Sequence, residues 1–484
     1  MLTNIARELG YEVYAVGGCV RDVLLGRPLG DLDLAVVGDA GKLAKLVAKK
    51  INAGKVAHYA RYGTALISTD EGAIELATAR QESYSPDSRK PSLVTACPIE
   101  DDLQRRDFTI NALAFGLSGP QEGALLDLFD GWKDLKEHRL RTPLDPDDTF
   151  SDDPLRMLRA VRFAAQLGFD IAPETLAGIK RNVLRLEIVA GERWGIEFHK
   201  MLASPDPVRA MQLLIDTGLM AVTIPEVAAM GGVEQVGRHH HKDVLVHSLK
   251  VMKNVADATP DPILRLAGLL HDVGKPLTKR FEPGIGWTFH GHEALGAKMT
   301  YRIGRRLHIG RDSLRKLVGL VRLHMRPINL TDEGVTDSAI RRLMIDSSEW
   351  LDEQLILCRA DITTANPKLV QTYLANFGEI EKRMADVNAR DKMRSFQSPI
   401  RGEEIIELCG ISAGPLVGAL KGRVEDAILD GKINFDEDSA RKYLLSIKDE
   451  VIAMTPAEIA AETRARASAR RRVTSQFQFP GEDS

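Results

Sequence analysis

The chain has 484 residues, 44% of them hydrophobic and 27% charged, and its net charge is −3. This length predicts two to four compact units, and the nearly balanced charge means that any binding of nucleic acid must use local basic surfaces. The four cysteines are scattered, which argues against a disulfide framework or a thiolate zinc site and suits a reducing cytosol. The beginning of the chain lacks a signal-peptide pattern, and no apolar run approaches the roughly 20 residues that span a bilayer. We therefore expect a cytoplasmic protein that does not cross a membrane.

The first part of the chain alternates between strand and helix patterns. Strand patterns occupy residues 11–16, 31–37, 64–69 and 73–78, and helix patterns occupy residues 17–26, after a glycine turn, and 41–51. This alternation predicts an α/β head over residues 1–145, with a small mixed sheet and helices. Residues 81–104 are polar and contain three prolines, which predicts a loop.

From Asp152 onwards the pattern becomes helical, because Leu, Ala, Met and Arg recur at helical spacing and few strand patterns follow. We expect four further segments: a helical neck (146–235), a helical domain with most of the histidines (236–370), a helical C-terminal tail domain (371–460) and a basic disordered tail (461–484). The last segment has five arginines between residues 464 and 472 and no acid among them, which suits contact with nucleic acid.

Two acidic residues mark the second predicted strand. Asp31 and Asp33 are separated by one residue, so on a strand both carboxylates point to one face, where they can bind one Mg²⁺ or a pair of them. Glu75 has the same setting on another predicted strand and is a candidate third carboxylate. We take these three as the candidate catalytic residues, because bound Mg²⁺ would activate a 3′-hydroxyl for attack on an α-phosphate and neutralise the departing pyrophosphate.

Gly17 and Gly18 form a predicted turn directly after the first strand. Such a turn lets backbone N–H groups approach a phosphate, and Arg21 and Asp22 begin the helix that follows. A lone glycine pair or a lone D-x-D is weak evidence, but the combination GGCVRDVLLGRPLGDLDLAV is far more specific. These four residues are therefore candidates for nucleotide binding.

Several longer strings carry a family resemblance. GGCVRD, DLD, RRDFTINALAF (105–115), DDPLRMLRAVRFAAQLGFDI (152–171) and ERWGIEFHKML (192–202) resemble, in this order, the class II CCA tRNA nucleotidyltransferase and bacterial poly(A) polymerase family. The resemblance implies an α/β nucleotidyltransferase head, a helical neck that recognises the incoming base, and a helical body and tail that bind tRNA. It also implies a Mg-dependent enzyme that adds C-C-A to tRNA 3′ ends from CTP and ATP without a nucleic-acid template.

The same resemblance implies roles for individual residues, and it implies that Asp31 and Asp33 are Mg ligands. Together with the glycine turn, the candidate nucleotide-binding residues are Gly17, Gly18, Arg21, Asp22, Arg105, Arg106, Asp107, Asp153, Arg156, Arg159 and Arg162. The choice between Arg105 and Arg106 stays open. Asp152 stands where the family often has glutamate, a change that keeps the charge.

The selection of cytosine and adenine over uracil and guanine has a physical explanation. Cytosine and adenine share an exocyclic amino donor next to a ring-nitrogen acceptor, so a rigid carboxylate with a guanidinium complements both and repels uracil and guanine. Asp153 and Arg156 are three apart and would share a helix face, with Arg159 and Arg162 continuing the stripe towards the phosphates and ribose. A solvated, ion-paired face is the alternative interpretation of this stripe.

The histidine-rich middle contains the ordered set H…HD…D, formed by His247, His271, Asp272 and Asp361. Imidazole and carboxylate together suit a divalent transition metal, and the nearby Lys275 suits a phosphate. The candidates to complete a second metal site are His292 and His324. The set resembles the HD phosphohydrolase domain, which some nucleotidyltransferases of this family carry. A single histidine would be a hydrogen-bonded structural residue more often than a ligand, but the ordered set favours a metal.

Three rival functions remain open. A poly(A) polymerase of the same superfamily would use the same chemistry, and the HD domain counts against it by analogy. A C-C-only or A-only enzyme is also possible. The family resemblance implies that the C-C-only form arises by shortening residues 81–104, and their full length here counts against that form. Finally, the chain could be primarily an HD phosphohydrolase with an RNA-binding head, which the intact pair Asp31 and Asp33 argues against.

Overall fold

The computed structural model describes residues 1–52, 56–59, 63–69, 72–85, 88–236, 241–329, 337–347, 349–363, 367–391 and 398–463. The chain divides into two compact units. The first comprises Met1–Ala228 with Arg306–His308, and the second comprises Ala229–Arg305 with the chain from Ile309 onwards.

The first unit begins as an α/β structure and continues as helices. Its strands are β1 (Glu12–Val16), β2 (Leu32–Val37), β3 (Val56–Tyr59), β4 (Thr64–Thr69), β5 (Gly72–Thr78), β6 (Arg80–Ser85), β7 (Ser88–Ala96), β8 (Leu113–Ser118), β9 (Leu125–Asp127), β10 (Arg139–Leu140) and β11 (Asp170–Ile171). Its helices are α1 (Leu2–Leu9), α2 (Gly18–Leu24), α3 (Ala40–Lys50), α4 (Ile99–Gln104), α5 (Gly131–Lys136), α6 (Pro146–Asp152), α7 (Leu155–Leu167), α8 (Pro173–Asn182), α9 (Gly191–Leu202), α10 (Pro207–Thr217), α11 (Leu219–Thr223) and α12 (Pro225–Ala228).

The main sheet of the head has the strand order β3-β4-β5-β2-β1-β8-β9. Strands β2 and β5 are parallel, and the other neighbouring strands are antiparallel, so the predicted small mixed sheet is confirmed. Alternation along β2 sends Leu34 and Val36 into the core beneath α1 and α3, whereas Ala35 packs on the opposite face. Asp33 therefore lies on the face opposite that core.

The prediction of a loop over residues 81–104 is wrong. Strands β6 and β7 form an antiparallel ribbon whose register runs from Arg80 opposite Ala96 to Ser85 opposite Ser88, and α4 follows it. Proline is tolerated here because both strands of a two-stranded ribbon are edges, so Pro91 need not donate a ladder hydrogen bond. Pro98 occupies the N-cap position of α4, where it marks the start of a helix rather than a loop.

The second unit is largely helical. Its helices are α13 (Val244–Ala258), α14 (Pro262–Leu270), α15 (Lys275–Thr278), α16 (His292–Arg306), α17 (Arg311–Leu323), α18 (Arg326–Asn329), α19 (Asp337–Asp346), α20 (Leu351–Asp361), α21 (Pro367–Asp391), α22 (Gly402–Cys409), α23 (Pro415–Leu429) and α24 (Glu437–Ile452). Its strands form two short ribbons: β12 (Glu234–Val236) with β13 (His241–Asp243), and β14 (Arg280–Glu282) with β15 (Gly286–Thr288).

Separate apolar cores hold the parts of the second unit together. Helix α14 is buried along almost its whole length and packs against α13, α17 and α20. Helices α22, α23 and α24 enclose their own core, which includes Ile405, Leu420 and Leu444. Residues 461–463 still lie in a helix, whereas residues 464–484 of the predicted basic tail lie outside the described residues. In the part of the chain that is described, no helix has the length and apolarity to cross a bilayer.

Candidate active sites

The first candidate site begins with the carboxylates of the head. Asp33 on β2 lies directly beside Glu75 on the parallel strand β5, so the two side chains share a face. Asp31 precedes β2 by one residue, and its Oδ1 accepts a hydrogen bond from the Ala73 N–H at 3.4 Å. In the described residues, the three carboxylates do not form a group whose ligand atoms all lie within 4.8 Å of one another.

The electrostatics of Asp33 fit a cation. Burial raises the pKa of its carboxyl, the negative charges of Glu75 and Asp31 raise it further, and Arg106 and Arg21 oppose them. A carboxylate that is costly to ionise beside two other acids is stabilised when a divalent cation binds. The donor set of Asp31, Asp33 and Glu75 consists of oxygens only, which is the set that Mg²⁺ prefers.

The turn between β1 and α2 requires glycine at position 17. Gly17 has φ 73° and ψ −129°, and a Cβ there would lie 3.0 Å from Nη1 of Arg106. The turn allows Arg21 to fold back into the head, where its Nη1 donates to Asn111 Oδ1 at 2.8 Å. Asp22 accepts two further bonds from the same guanidinium, each at 2.9 Å, so it orients Arg21.

A cavity of about 610 Å³ connects the head with the helices that follow it. Of the predicted residues, its lining includes Gly17, Gly18, Arg21, Asp33, Arg105, Arg106, Asp107, Asp153, Arg156, Arg159 and Arg162. Sequence reasoning missed further lining residues: Asn111, Leu155, Phe163, Arg193, Ile196, Glu197 and Lys200. Asp31, Glu75 and Asp22 do not line it. Cations outnumber carboxylates in this lining, as binding of a polyphosphate requires.

Asp102 holds the adjacent pair Arg105 and Arg106, and sequence reasoning missed it. Its Oδ1 accepts from Arg105 Nη2 at 2.5 Å, and its Oδ2 accepts from Arg106 Nη2 at 2.9 Å. Asp102 is buried, yet both guanidinium groups outweigh the effect of burial and lower its pKa. Asp102 precedes these arginines by three and four residues, a spacing that brings side chains together at a helix, but the prediction of a loop over residues 81–104 left this spacing unused.

Asp107 is a buried anchor for Arg159. Its Oδ2 accepts from Arg159 Nε at 2.7 Å, while its Oδ1 accepts from Asn111 Nδ2 at 3.0 Å and from the Phe108 N–H at 2.9 Å. Burial alone would raise the pKa of this carboxyl, but Arg159 and Asn111 lower it to about 2. Both oxygens of Asp107 therefore serve to position other groups at the cavity wall.

The expectation that Asp153 and Arg156 share a helix face is wrong. Asp153 has extended backbone angles, φ −138° and ψ 99°, and lies between α6 and α7. The cause is Pro154, since a residue that precedes proline is disfavoured in the helical region. Arg156 points towards backbone carbonyls, donating to Thr149 O at 3.2 Å and to Arg105 O at 2.6 Å.

Arg162 forms a buried ion pair with Glu197 on α9. Its Nε lies 2.7 Å from Glu197 Oε2, although the two atoms are not aligned as a hydrogen bond, and the side chains are 9% and 5% exposed. The guanidinium also lies 4.1 Å from the centre of the Phe163 ring. Removing one partner leaves the other charge buried and uncompensated.

We predict that Glu197→Ala lowers the free energy of unfolding by about 3 kcal/mol, because the Arg162 charge would stay buried without its partner. Chemical denaturation measures this loss, and Glu192→Ala is the matched control since Glu192 is exposed on the same helix. Equal stability of the two variants would contradict the assignment of a buried ion pair.

The second candidate site lies in the second unit, where five helices converge. It contains all six metal ligands predicted for the histidine-rich middle: His247, His271, Asp272, His292, His324 and Asp361. They form two triads, and within each triad the ligand atoms lie within 4.8 Å of one another. The first triad is His247, His271 and Asp361, and the second triad is Asp272, His292 and His324.

Asp272 faces both triads. Its Oδ2 lies 3.2 Å from His271 Nε2 and 3.4 Å from His247 Nε2. Its Oδ1 lies 3.4 Å from His292 Nε2 and 3.8 Å from His324 Nε2. One carboxylate therefore connects the triads, and these six side chains would hold a divalent metal.

The histidines are held with Nε2 directed inwards. In three of them Nδ1–H donates to the carbonyl of the residue three positions earlier: His271 to Gly268 at 2.9 Å, His292 to Phe289 at 2.9 Å and His324 to Val321 at 2.8 Å. His247 Nδ1 contacts Thr363 Oγ1 at 3.0 Å. Such bonds fix the tautomer and leave the Nε2 lone pair free for a metal.

The charges of the site fit bound cations. Burial disfavours a charged His271, but Asp272 and Asp361 outweigh it and raise its pKa to about 10. His324 behaves in the opposite way, because burial and the neighbouring His271 lower its pKa to about 4. The buried Asp272 and the half-buried Asp361 thus place two carboxylates among the histidine Nε2 atoms, and a divalent metal would compensate their negative charge.

Three family models match consecutive parts of the chain. The poly(A) polymerase head domain matches residues 13–141, the probable RNA and SrmB-binding site of polymerase A matches residues 168–230, and the HD domain matches residues 244–366. The A-adding tRNA nucleotidyltransferase of Deinococcus radiodurans is 32% identical over 437 residues, which cover 88% of this chain and 93% of that protein. The chain belongs to the tRNA nucleotidyltransferase and poly(A) polymerase family. The predicted resemblance and the predicted nucleotidyltransferase class are confirmed at this level.

Other relatives of the family differ in their product. The CC-adding tRNA nucleotidyltransferase of Thermus thermophilus is 31% identical over 449 residues, 90% of this chain and 93% of that protein. The CCA-adding enzyme of Limosilactobacillus fermentum is 41% identical over 213 residues, 44% of this chain, and the match spans about half (51%) of that relative's length. The Bacillus stearothermophilus CCA-adding enzyme in complex with CTP shares the fold, with a TM-score of 0.61 at 24% identity over 93% of this chain and 96% of that one.

Proposed function

We propose that the head adds C-C-A to the 3′ end of tRNA from CTP and ATP without a nucleic-acid template. The observation that carries this proposal is the 610 Å³ cavity, in which Asp33 of the sheet shares a wall with Asp153 and with the arginines of α7. The cavity therefore brings together the groups that the reaction needs: Asp33 for the metal, the arginines for the triphosphate and the half-buried Asp153 for the base.

In the proposed reaction the 3′-hydroxyl of the RNA attacks the α-phosphate, a new phosphodiester bond forms, and pyrophosphate leaves with the electron pair of the broken P–O bond. Asp31 and Asp33, with Glu75 beside them, would hold Mg²⁺, which supplies activation of the hydroxyl and neutralises charge on the phosphates. Arg21 and Arg106 are oriented by carboxylates and bind the triphosphate. Arg159, anchored by Asp107, has a side chain that is 33% exposed and is therefore accessible to the nucleotide.

Asp153 is the proposed base-recognising carboxylate. The Leu155 N–H donates to its Oδ1 at 3.1 Å, which fixes the carboxylate at the start of α7. We predict that Asp153→Ala raises incorporation of UMP and GMP relative to CMP and AMP by about tenfold or more, because a fixed polar group discriminates through mismatched hydrogen bonds. Single-nucleotide incorporation with each nucleoside triphosphate measures the ratio. Unchanged selectivity would assign Asp153 a structural role at the start of α7.

The product is the part of the proposal that relatives leave open, since they include CCA-adding, CC-adding and A-adding enzymes. The resemblance to the family implies that C-C-only forms have a shortened segment here, whereas residues 80–85, 88–96 and 99–104 of this chain form two paired strands and a helix, which supports the complete C-C-A product. The test is incubation of tRNA lacking its 3′ end, tRNA ending in C-C, and an unrelated RNA with each nucleotide, followed by sequencing. A long adenosine tract on the unrelated RNA would favour the poly(A) polymerase alternative.

We further propose that the HD domain is a metal-dependent phosphohydrolase. The six converging ligands mix imidazole nitrogen with carboxylate oxygen, which favours Mn²⁺, Co²⁺ or Ni²⁺ over Mg²⁺. Lys275, whose Nζ donates to Asp272 Oδ2 at 2.6 Å, supplies a positive charge for a phosphate beside the metals. The proposed substrates are phosphomonoesters or 2′,3′-cyclic phosphates, where water adds to phosphorus and the leaving ribose oxygen takes up a proton. Such ends would block extension of a tRNA.

A further inference from the structure

A second cavity, of about 560 Å³, adjoins the second triad of the HD domain. His292, a member of that triad, is part of its wall, as are Lys275 and Phe289, and Lys275 Nζ lies 5.6 Å from the centre of the Phe289 ring. The wall also contains Arg322 and Arg326, which lie at the end of α17 and the beginning of α18. Of the described lining residues, Glu293 is the sole carboxylate. The cavity therefore extends from the proposed metal site into a strongly cationic space.

Among the described residues, Arg322 has no partner that would account for its charge. Lys275 pairs with Asp272, and Arg326 pairs with Asp346. Arg322 is half-buried and, within the described residues, forms no hydrogen bond or ion pair. Burying part of a guanidinium without compensation costs free energy, and a ligand anion would recover that cost.

The ribbon formed by β14 and β15 leads into the same cavity, because Phe289 follows the end of β15 directly. Phe281 and Trp287 are cross-strand partners on this ribbon, with ring centroids 5.3 Å apart, and they are 62% and 40% exposed. Lys279 Nζ lies 4.6 Å from the centre of the Trp287 ring. Exposed aromatic rings flanked by cations are the surface on which unpaired bases of single-stranded nucleic acid stack.

We propose that the Arg322 cavity binds a second phosphate of the HD substrate and that Phe281 and Trp287 stack a base, so that the domain acts on the 3′ end of an RNA strand. This inference rests on the proposed phosphohydrolase function and specifies its substrate. The shared chemistry is a phosphate next to the one being hydrolysed, and it could come from a free nucleotide with two phosphates or from an RNA chain. The exposed rings of Phe281 and Trp287 favour the RNA chain, because a chain continues past the second phosphate and offers a further base to stack on them.

The test compares three substrates that carry the same terminal 2′,3′-cyclic phosphate: adenosine 2′,3′-cyclic phosphate, its 5′-phosphorylated form, and an RNA tetranucleotide. Wild type with Mn²⁺ is expected to hydrolyse the RNA with a kcat/KM about tenfold above that of the singly phosphorylated nucleoside, the size expected for one charged hydrogen-bonded contact. Arg322→Gln should remove most of this preference through KM. Trp287→Leu should lower kcat/KM for the RNA while sparing the free 5′-phosphorylated nucleotide. Arg302→Gln, an exposed arginine on α16, is the matched control.

The outcomes separate the two proposals. An unchanged preference in Arg322→Gln, or no preference in wild type, would overturn the second-phosphate site while leaving the hydrolase intact. Equal rates for RNA and free 5′-phosphorylated nucleotide, unmoved by Trp287→Leu, would overturn the choice of RNA. If wild type hydrolyses none of the three with Mn²⁺, Co²⁺ or Ni²⁺, the hydrolase proposal fails, and fluorescence anisotropy of a labelled tetranucleotide with a 3′-phosphate decides the site. Binding about tenfold weaker in Arg322→Gln than in Arg302→Gln would support it, and equal binding would overturn it.

Discussion

Asp33→Asn should lower kcat for nucleotide addition by about a thousandfold, with a much smaller effect on tRNA binding. The neutral amide keeps the shape of the side chain but removes one charged ligand from the pair that would hold Mg²⁺ next to the reacting phosphate. Electrostatic stabilisation of a developing charge is worth about two to three orders of magnitude per group in enzymes, and a metal ligand lies at the upper end of that range. Primer extension under single-turnover conditions measures the effect on the chemical step.

The stability of this variant provides a second measurement. Because the pKa of Asp33 is raised by burial and by Glu75 and Asp31, its ionised form at neutral pH costs folding free energy. Asparagine removes that cost, so Tm of the variant without metal should equal or exceed that of wild type. Mg²⁺ should raise Tm of wild type more than Tm of the variant.

The matched control is Glu100→Gln, which neutralises an exposed carboxylate on α4 that does not line the cavity. This control should keep near-wild-type turnover. Near-wild-type turnover in Asp33→Asn as well would show that the head does not use this carboxylate in catalysis, and the alternative of an RNA-binding head would gain support.

Individual strands and helices were predictable from the sequence, because each depends on the spacing of apolar residues over a short stretch of chain. Alternation along residues 31–37 and 73–78 predicted two strands, and the structure has β2 and β5 there. The pairing of Asp33 with Glu75 depends on the register of two strands that are 42 residues apart, and pattern alone supplies no such register. The composition of residues 80–96 led to the wrong prediction of a loop, because polar residues and prolines are compatible with a two-stranded ribbon as well as with a loop.

The candidate sites show the same limit. Functional side chains were found where several of them form a dense string, as in GGCVRD or LLHDVGKP. Residues that position those side chains were missed even inside the strings 105–115 and 192–202, because a string does not show which side chain each of its residues contacts. Asn111 orients both Arg21 and Asp107, and Glu197 neutralises Arg162 from another helix. Such partners are specified by tertiary packing, and one sequence contains no record of which distant residue an arginine meets.

His271→Ala should abolish phosphoester hydrolysis by the HD domain and leave nucleotide addition within about twofold of wild type. His271 is almost fully buried between the first triad and Asp272, with its Nε2 3.2 Å from both His247 Nε2 and Asp272 Oδ2. Alanine removes one of the three ligands of the first triad, and the loss of one ligand or its support costs at least about 10–100-fold in metal affinity or activity.

The measurement pairs hydrolysis of bis(p-nitrophenyl) phosphate with C-C-A addition on the same preparation, with Mn²⁺, Co²⁺ and Ni²⁺ each supplied in turn. Titration calorimetry of metal binding adds a readout that does not depend on activity, and His271→Ala should bind fewer Mn²⁺ ions than wild type. His199→Ala, which changes an exposed histidine on α9, is the control for loss of imidazole in general.

The two activities separate the possible roles of the HD domain. If His271→Ala loses hydrolysis alone, the chain contains two independent reaction centres, since the head carboxylates and the HD ligands belong to different compact units. If wild type hydrolyses no phosphoester with any of these metals, the six converging ligands have a structural role, and the domain then serves as a spacer that positions the tRNA body. Loss of both activities with a lowered Tm would instead show that Asp272 and Asp361 need the positive charge of His271 or of a cation for folding, because uncompensated carboxylates inside a protein destabilise the native state.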